Sequence, residues 1–170
     1  MMKEGVMMSG VQESVLPPSS MAKALNYSED TTRDKFLTFM VDSEEYGIEI
    51  AKIREIISIT KITKVPESPD YVKGIINLRG DIVPVLDVRT RFGKPTKTHD
   101  ALTCIVVIEY SDYKIGLIVD SVNEVTYIDE RNILPPPSSK INYYNQFVRN
   151  IGLIGESVKL LLDLDRLMAS

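Results

Sequence analysis

Catalysis and metal binding need acids, bases, thiols or imidazoles held at fixed spacing, and this chain offers few of them. It has one histidine, His99, and one cysteine, Cys104, both isolated. No zinc or iron site assembles at ligand spacing from those residue types. Phe92-Gly-Lys-Pro-Thr96 has part of a phosphate loop, but Val88 stands where the first glycine belongs and Pro95 follows the lysine, so that reading is rejected. Gly155-Glu-Ser157 lacks the flanking glycine and the strand-to-helix context of a nucleophile elbow. These absences count against an enzyme, and no cofactor is implied. What remains suits recognition. Arg79 sits at a glycine-bearing turn, where a guanidinium can fork onto a partner's carboxylate. Arg89, Arg91, Lys94 and Lys97 put four positive charges into nine residues, a run that is usually a solvated loop and otherwise suits acidic helices or nucleic acid.

Net charge bears on that last choice. The 170 residues carry a formal charge of -4, whereas phosphate binding usually needs a basic surface. A small-barrel nucleic-acid binder using the 89–97 run is the alternative reading, although no aromatic set beyond Phe92 accompanies the run for base stacking. An apolar share of 44% and a charged share of 26% are typical of a soluble globular protein. The longest apolar runs, such as Cys104 to Ile108, fall far short of the ~18 residues of a membrane span. There is no N-terminal apolar core for a secretory signal, and the lone cysteine excludes an internal disulfide, so a cytoplasmic protein is expected. In that setting Arg79-Gly80-Asp81 reads as a turn rather than as an adhesion tripeptide.

The elements that must position Arg79 follow from the pattern around it. Ile75 and Ile76 lead into Asn77-Leu-Arg-Gly80, and Ile82 to Leu86 leads out, which predicts a hairpin with Gly80 supplying a positive φ. Pro84 cannot donate to a ladder, so the second strand is expected at an edge or with a bulge there. Upstream, Phe36 to Val41 and then Tyr46, Ile48 and Ile50 alternate as strands, with Asp42-Ser-Glu44 as the turn between them. Ile50, Ile53, Ile56 and Ile57 recur at helical spacing and predict a short helix or helical turn. Residues 1–34 show no sustained period and are read as a flexible tail.

The chain also repeats itself. Tyr46-x-Ile48-x-Ile50 returns as Tyr113-x-Ile115-x-Leu117, Ile53-Arg-Glu-Ile56 as Val122-Asn-Glu-Val125, Tyr71-Val-Lys73 as Phe147-Val-Arg149, and Val85-Leu-Asp-Val88 as Leu161-Leu-Asp-Leu164. The offsets are 67, 69, 76 and 76. Such self-similarity means two equivalent halves, each of roughly 60 residues and about five strands. Residues 91–101 form the junction and Pro135-Pro-Pro-Ser-Ser139 a later loop. A buried strand over 160–164 and a short helix over 165–168 close the chain. No long helix separates the strands, which favours an all-β pair of barrels.

Glu45-Tyr-Gly-Ile48, Ile53-Arg-Glu-Ile56, Val65-Pro66, Asn77-Leu-Arg-Gly-Asp-Ile-Val-Pro84, Gly116-Leu-Ile-Val-Asp120 and Val122-Asn-Glu-Val125 resemble the motifs of the chemotaxis coupling (CheW) family. The resemblance holds in order and at the family's spacing over residues 35–168. It implies an all-β fold of two five-stranded SH3-like barrels packed together, 35–95 and 100–168, with possible strand exchange, short helical turns and a short C-terminal helix. The implied function is that of a non-catalytic adaptor. It would join the cytoplasmic tips of chemoreceptors to the histidine kinase CheA, docking on that kinase's own CheW-like regulatory domain. Such a protein is cytoplasmic, recruited to receptor clusters at the membrane without inserting into it. The same module occurs within CheA and CheV, but their ATP-binding or receiver domains do not fit into 170 residues.

The resemblance also marks partner-binding positions: Arg79, Ile53, Glu55, Gly74, Asn77, Gly116 and Val122. Each has a plainer reading. Arg79 would otherwise be a solvated turn residue, Ile53 a core side chain, and Gly74 a backbone requirement. Gly116 and Val122 fit a strand interior and a core contact better than a binding role. Asn150 stands where the family often carries a glycine ahead of the one matched by Gly152. Asn tolerates left-handed φ, so the backbone survives while any close approach there is in doubt.

Overall fold

The computed structural model describes residues 33–136 and 146–169. The tail read over 1–34 thus lies outside the described residues except for Arg33 and Asp34, as does the loop beyond Pro136. Two-residue turns shape the hairpins. Strands β1 (Lys35–Val41) and β2 (Glu44–Glu49) are joined by Asp42 and Ser43, at φ 51° and 72°. Ser111 and Asp112, at 49° and 68°, do the same between β6 (Cys104–Tyr110) and β7 (Tyr113–Val119). Left-handed φ at both central positions matches the right-handed twist of the flanking strands.

The remaining strands are β3 (Ile53–Ser58), β4 (Val72–Leu78), β5 (Asp81–Asp87), β8 (Ser121–Tyr127), the short β9 (Ile133–Leu134), β10 (Val148–Ile154) and β11 (Ser157–Leu162). Two four- to five-residue helices, α1 (Val88–Arg91) and α2 (Leu164–Met168), follow β5 and β11. One sheet runs β8-β1-β2-β11-β10-β9 and the other β3-β6-β7-β5-β4, so each takes strands from both sequence halves. The first has six strands where five were expected, because Ile133 and Leu134 pair with Gly152 and Ile151. In the second sheet the corresponding contact is a single bridge, Thr63 to Ile75.

Parallel ladders join the halves. Val85 lies opposite Gly116 and Leu86 opposite Leu117, while Leu161 lies opposite Gly47 and Leu160 opposite Tyr46. These ladders correct the sequence alignment of the repeat. Gly47 and Gly116 are equivalent, so the offset for β2 and β7 is 69, not the 67 that matched Tyr46 to Tyr113. A slip of two residues leaves every side chain on its own face, and a period of 2 is blind to it.

One further expectation is met narrowly and another is corrected. The helical turn expected from Ile50, Ile53, Ile56 and Ile57 is present as a single 3₁₀ turn, Ile50–Lys52, and the other three isoleucines lie on β3. The ladder to β6 shifts register between Ile53 and Glu55, so a β-bulge puts Ile53 and Ile56 on the same buried face three residues apart. Pro84 is not on an edge strand, since β5 lies between β7 and β4. The β7 ladder starts only at Val85, however, which leaves Pro84 unpaired on that side.

Alternate faces of the sheets fill different cores. The largest cluster lies between the sheets and draws Leu37, Phe39 and Tyr46 from one and Ile56, Val106 and Leu117 from the other. Phe39, Tyr46, Phe92 and Phe147 run through it with successive ring centroids 6.1, 5.1 and 5.3 Å apart. Opposite faces line the insides of the barrels, with Ile76, Val83, Val85 and Ile105 in one and Phe36, Ile128 and Leu161 in the other.

The exchange has a direct consequence for fragments. A 35–95 piece holds two hairpins and a lone β3 with no β6 or β7 to bridge them, and a 100–170 piece is deficient in the same way. Neither fragment is expected to give dispersed amide resonances alone, because each would expose the shared core. Dispersed spectra from either isolated piece would show that the halves fold independently of strand exchange.

Candidate functional site

The β4–β5 hairpin carries Arg79 and Gly80 at its tip, at φ 53° and 94°. Leu78 pairs with Asp81, which makes this the same two-residue turn as the other hairpins. Asn77 holds it from beneath, its Oδ1 accepting the Gly80 N–H at 2.8 Å. Glycine is free to adopt this conformation, whereas an arginine in it is disfavoured by roughly 1 kcal/mol. The guanidinium is largely solvent-exposed and ion-paired with Glu55. Glu55 lies on β3, at the opposite edge of the sheet from β4, so the pair spans the seam where the sheet curls round on itself. Beside the tip, Lys114 Nζ donates to Asp81 Oδ2 at 2.9 Å and, with Arg79 adding to it, holds that carboxyl below its ordinary range. Ile82, opposite Asn77 in the ladder, is 59% exposed.

Arg79, Glu55 and Asn77 are thus brought together, and the other four marked positions are not. Ile53 is 5% exposed and sits in the shared core, which matches its plainer reading as a core side chain and keeps it from presenting a surface to a partner. Val122 is also core, paired with Phe39 as Ile53 is with Ile108. Gly74 is buried at φ 144°, and a Cβ there would stand 2.1 Å from Thr63 O, where the chain bridges to β4. At Gly116 a Cβ would stand 2.7 Å from Ile105 Cγ2, inside the barrel. The three positions at the tip and the other four differ in kind: one set presents groups outward, the other lets backbone and core close up. Sequence reasoning missed Ile82, because an apolar residue within an apolar run carries no sign of which side faces water.

The basic run is engaged internally. Arg89 Nε donates to Asp120 Oδ1 at 2.9 Å, its Nη2 lies 3.2 Å from Asp42 Oδ1, and its Nη1 donates to Pro95 O at 2.7 Å. Lys94 Nζ is 3.4 Å from both Asp42 and Glu44, and Lys97 is 3.6 Å from Asp100. Arg91 donates to backbone carbonyls of α2. The charges join the first hairpin, the β7–β8 turn and the segment after β5, and nothing supports their use on nucleic acid. Burial alone would raise the Asp120 carboxyl, but the Arg89 hydrogen bonds and the Asp42 N–H outweigh it and hold it below its ordinary value. Among the described residues no cluster of metal-ligating side chains occurs, and no helix is long and apolar enough to cross a membrane.

A charged side chain on a stiff turn, braced across a seam and flanked by an exposed isoleucine, is the equipment of a protein-interaction module. Residues 35–170 match the CheW-like domain, and the chain belongs to that family. It is 33% identical over 141 residues to the chemotaxis protein CheW of Klebsiella aerogenes, covering 83% of this chain and 85% of that one. To the chemotaxis protein CheW of Bacillus subtilis it is 37% identical over 110 residues, 65% of this chain and 70% of the other. Among solved structures, the scaffolding protein TtCheW from Thermoanaerobacter tengcongensis superposes with a TM-score of 0.75 at 36% identity, covering 81% of this chain and 93% of that one.

The Asp120 ion pair makes a pH prediction. A carboxyl whose folded pKa is depressed contributes stability above its unfolded pKa and loses it as pH falls through the folded value. Arg89→Gln is expected to cost about 1–3 kcal/mol at neutral pH, less than breaking a fully buried pair costs, because this site is only partly desolvated. The acid-unfolding midpoint should move to higher pH, as read by circular dichroism. An unchanged midpoint would mean that Asp120 owes its state to the Asp42 N–H alone.

Proposed function

We propose that this chain is a non-catalytic chemotaxis scaffold that joins the cytoplasmic tips of chemoreceptors to the histidine kinase CheA. Membership of the CheW-like family supports the scaffold role, and the geometry of the hairpin tip supports Arg79 as a contact. The single observation that carries the site is Arg79 itself: a long charged side chain in a backbone conformation that glycine would adopt at lower cost. A side chain placed where the backbone disfavours it points to a use for that side chain. Its exposed pair with Glu55 contributes under ~1 kcal/mol to folding, so stability is a weak reason for it.

In this reading the protein is cytoplasmic and is held at receptor clusters by its partners. The kinase is engaged through its own CheW-like regulatory domain. A partner carboxylate at the tip would compete with Glu55 for the guanidinium, which links binding at the hairpin to the seam of the barrel. Signal passes because the scaffold holds two partners at fixed geometry, so that a shift in one biases the other between states.

Arg79→Glu separates binding from stability. Gly80, Asn77 and the flanking strands still specify the turn, so the melting curve should stay close to that of the unaltered protein. Assembly with receptor cytoplasmic fragments and kinase should weaken at least about tenfold, or ~1.4 kcal/mol. Unfolding of the variant would make Arg79 structural. An unchanged melting curve together with unchanged assembly would place the interaction surface elsewhere.

A further inference from the structure

Helix α2 has five residues, far below the ~12 at which an isolated helix becomes even marginally stable. Its internal bonding is slight: Asp163 Oδ1 accepts the Arg166 N–H at 3.1 Å, and Leu167 N–H donates to Asp163 O at 3.0 Å. No strand ladder holds it. Its one fully buried side chain is Leu167, which enters the shared core with Phe92 and Phe147, while Leu164 and Met168 pack against that core partly buried.

The last carbonyls of a helix have no partner within it and need one from elsewhere. Here Ala169 N–H donates to Arg166 O at 3.3 Å, and a single guanidinium from the other repeat supplies the remaining donors. Arg91 Nε donates to Leu167 O at 2.8 Å, and its Nη2 donates to Arg166 O at 3.2 Å and to Ala169 O. The same guanidinium lies 4.4 Å from the Tyr71 ring centroid and 4.7 Å from that of Phe147. Those two rings hold matching places in the repeat, since Asp87 N–H donates to Tyr71 O at 2.7 Å and Asp163 N–H to Phe147 O at 2.8 Å. Arg91 is therefore held on the pseudo-symmetric centre of the molecule, and α2 is what hangs from it.

Helix α2 also forms one wall of a groove of about 680 Å³ lined by Phe36, Glu49, Tyr110, Leu161, Leu164 and Asp165. Tyr110 O–H donates to Asp165 Oδ1 at 2.9 Å across it. We propose that α2 is a gate at this groove, a locally opening unit whose docked population is set by Arg91. Opening requires that Leu167 leave the core together with the partly buried Leu164 and Met168, and that the Arg91 fork, the Tyr110 bond and the Arg166 Nη1 bond to Gln146 O release. Every sheet can stay intact meanwhile, which is the condition for opening below the global unfolding free energy. The open form widens the groove and exposes the apolar surface that Leu167 covers.

Amide hydrogen exchange on the full chain tests this. In Arg91→Ala the amides of Leu167 and Ala169 should exchange at least about tenfold faster, with those of β6 and β7 unchanged. Arg91→Lys keeps the charge but not the fork or the stacking, and should fall between the two. Binding of an apolar fluorescent dye should rise in the same order. Unchanged exchange in α2 would overturn the proposal, because the helix would then be held without the Arg91 fork. Acceleration throughout both sheets would overturn it too, making Arg91 part of the global core. If Arg91→Ala does not fold, the same comparison of α2 with β6 and β7 in Arg91→Lys decides.

Discussion

The two short parallel ladders, β5 with β7 and β2 with β11, are the contact on which the rest of the structure depends. Each unites a strand of one sequence half with a strand of the other, and each contains a glycine, Gly116 opposite Val85 and Gly47 opposite Leu161. A Cβ at Gly116 would come within 2.7 Å of Ile105 Cγ2, and one at Gly47 within 2.8 Å of Leu161 Cδ2. Those side chains occupy the insides of the two barrels, so the missing Cβ lets each barrel close over a filled core. Because neither sheet can be completed from one half, the apolar cluster between them must form together with them. That coupling gives one cooperative body rather than two small barrels with a linker, and it offers both halves the burial that about 60 residues alone cannot supply.

A rigid body of this kind gives the hairpin tip the support that its proposed recognition role requires. Leu78 and Val83, on either side of the tip, are buried inside the barrel, and Asn77 caps the turn. The guanidinium then moves only through its own torsions, and Glu55 restricts even those. Preorganised side chains lose less entropy on binding. The four buried positions that the family resemblance marks act further back. Ile53 and Val122 fill the shared core, and Gly74 and Gly116 let neighbouring groups approach closely, so substitutions there would disturb the fold that supports the tip.

Charge plays two separate parts in the molecule. Arg89, Lys94, Asp42, Glu44 and Asp120 neutralise one another where the first hairpin meets the β7–β8 turn, and this network fixes the inner join of the sheets. Lys159, buried on β11, pairs with Glu45, which also accepts from Asn123 Nδ2 at 2.8 Å, tying β11, β2 and β8 together. Glu45 stays ionised below its ordinary pKa because the Lys159 and Asn123 hydrogen bonds outweigh burial, which by itself would raise it. Arg79, by contrast, is spent on the outside. Sequence spacing alone does not separate these uses, since a basic run looks the same whether its counter-charges are water, a partner or a distant hairpin.

Local rules made the hairpins, the turn at Arg79-Gly80, the all-β class and the internal repeat legible before any coordinates, because each depends on side-chain alternation and on residues adjacent in the chain. Family motifs marked Arg79, Glu55 and Asn77 alongside Ile53, Gly74, Gly116 and Val122, and only the fold showed that the first three lie together, although 24 residues separate Glu55 from Arg79. Tertiary structure decided the rest. It chose which strands pair across the halves, placed the bulge that turned an apparent helical spacing into a strand, buried Ile53 and Val122, and turned the basic run inward. The physical reason is common to all four: each depends on a contact between segments far apart in sequence, and periodicity records only which face a residue shows, never what lies against it.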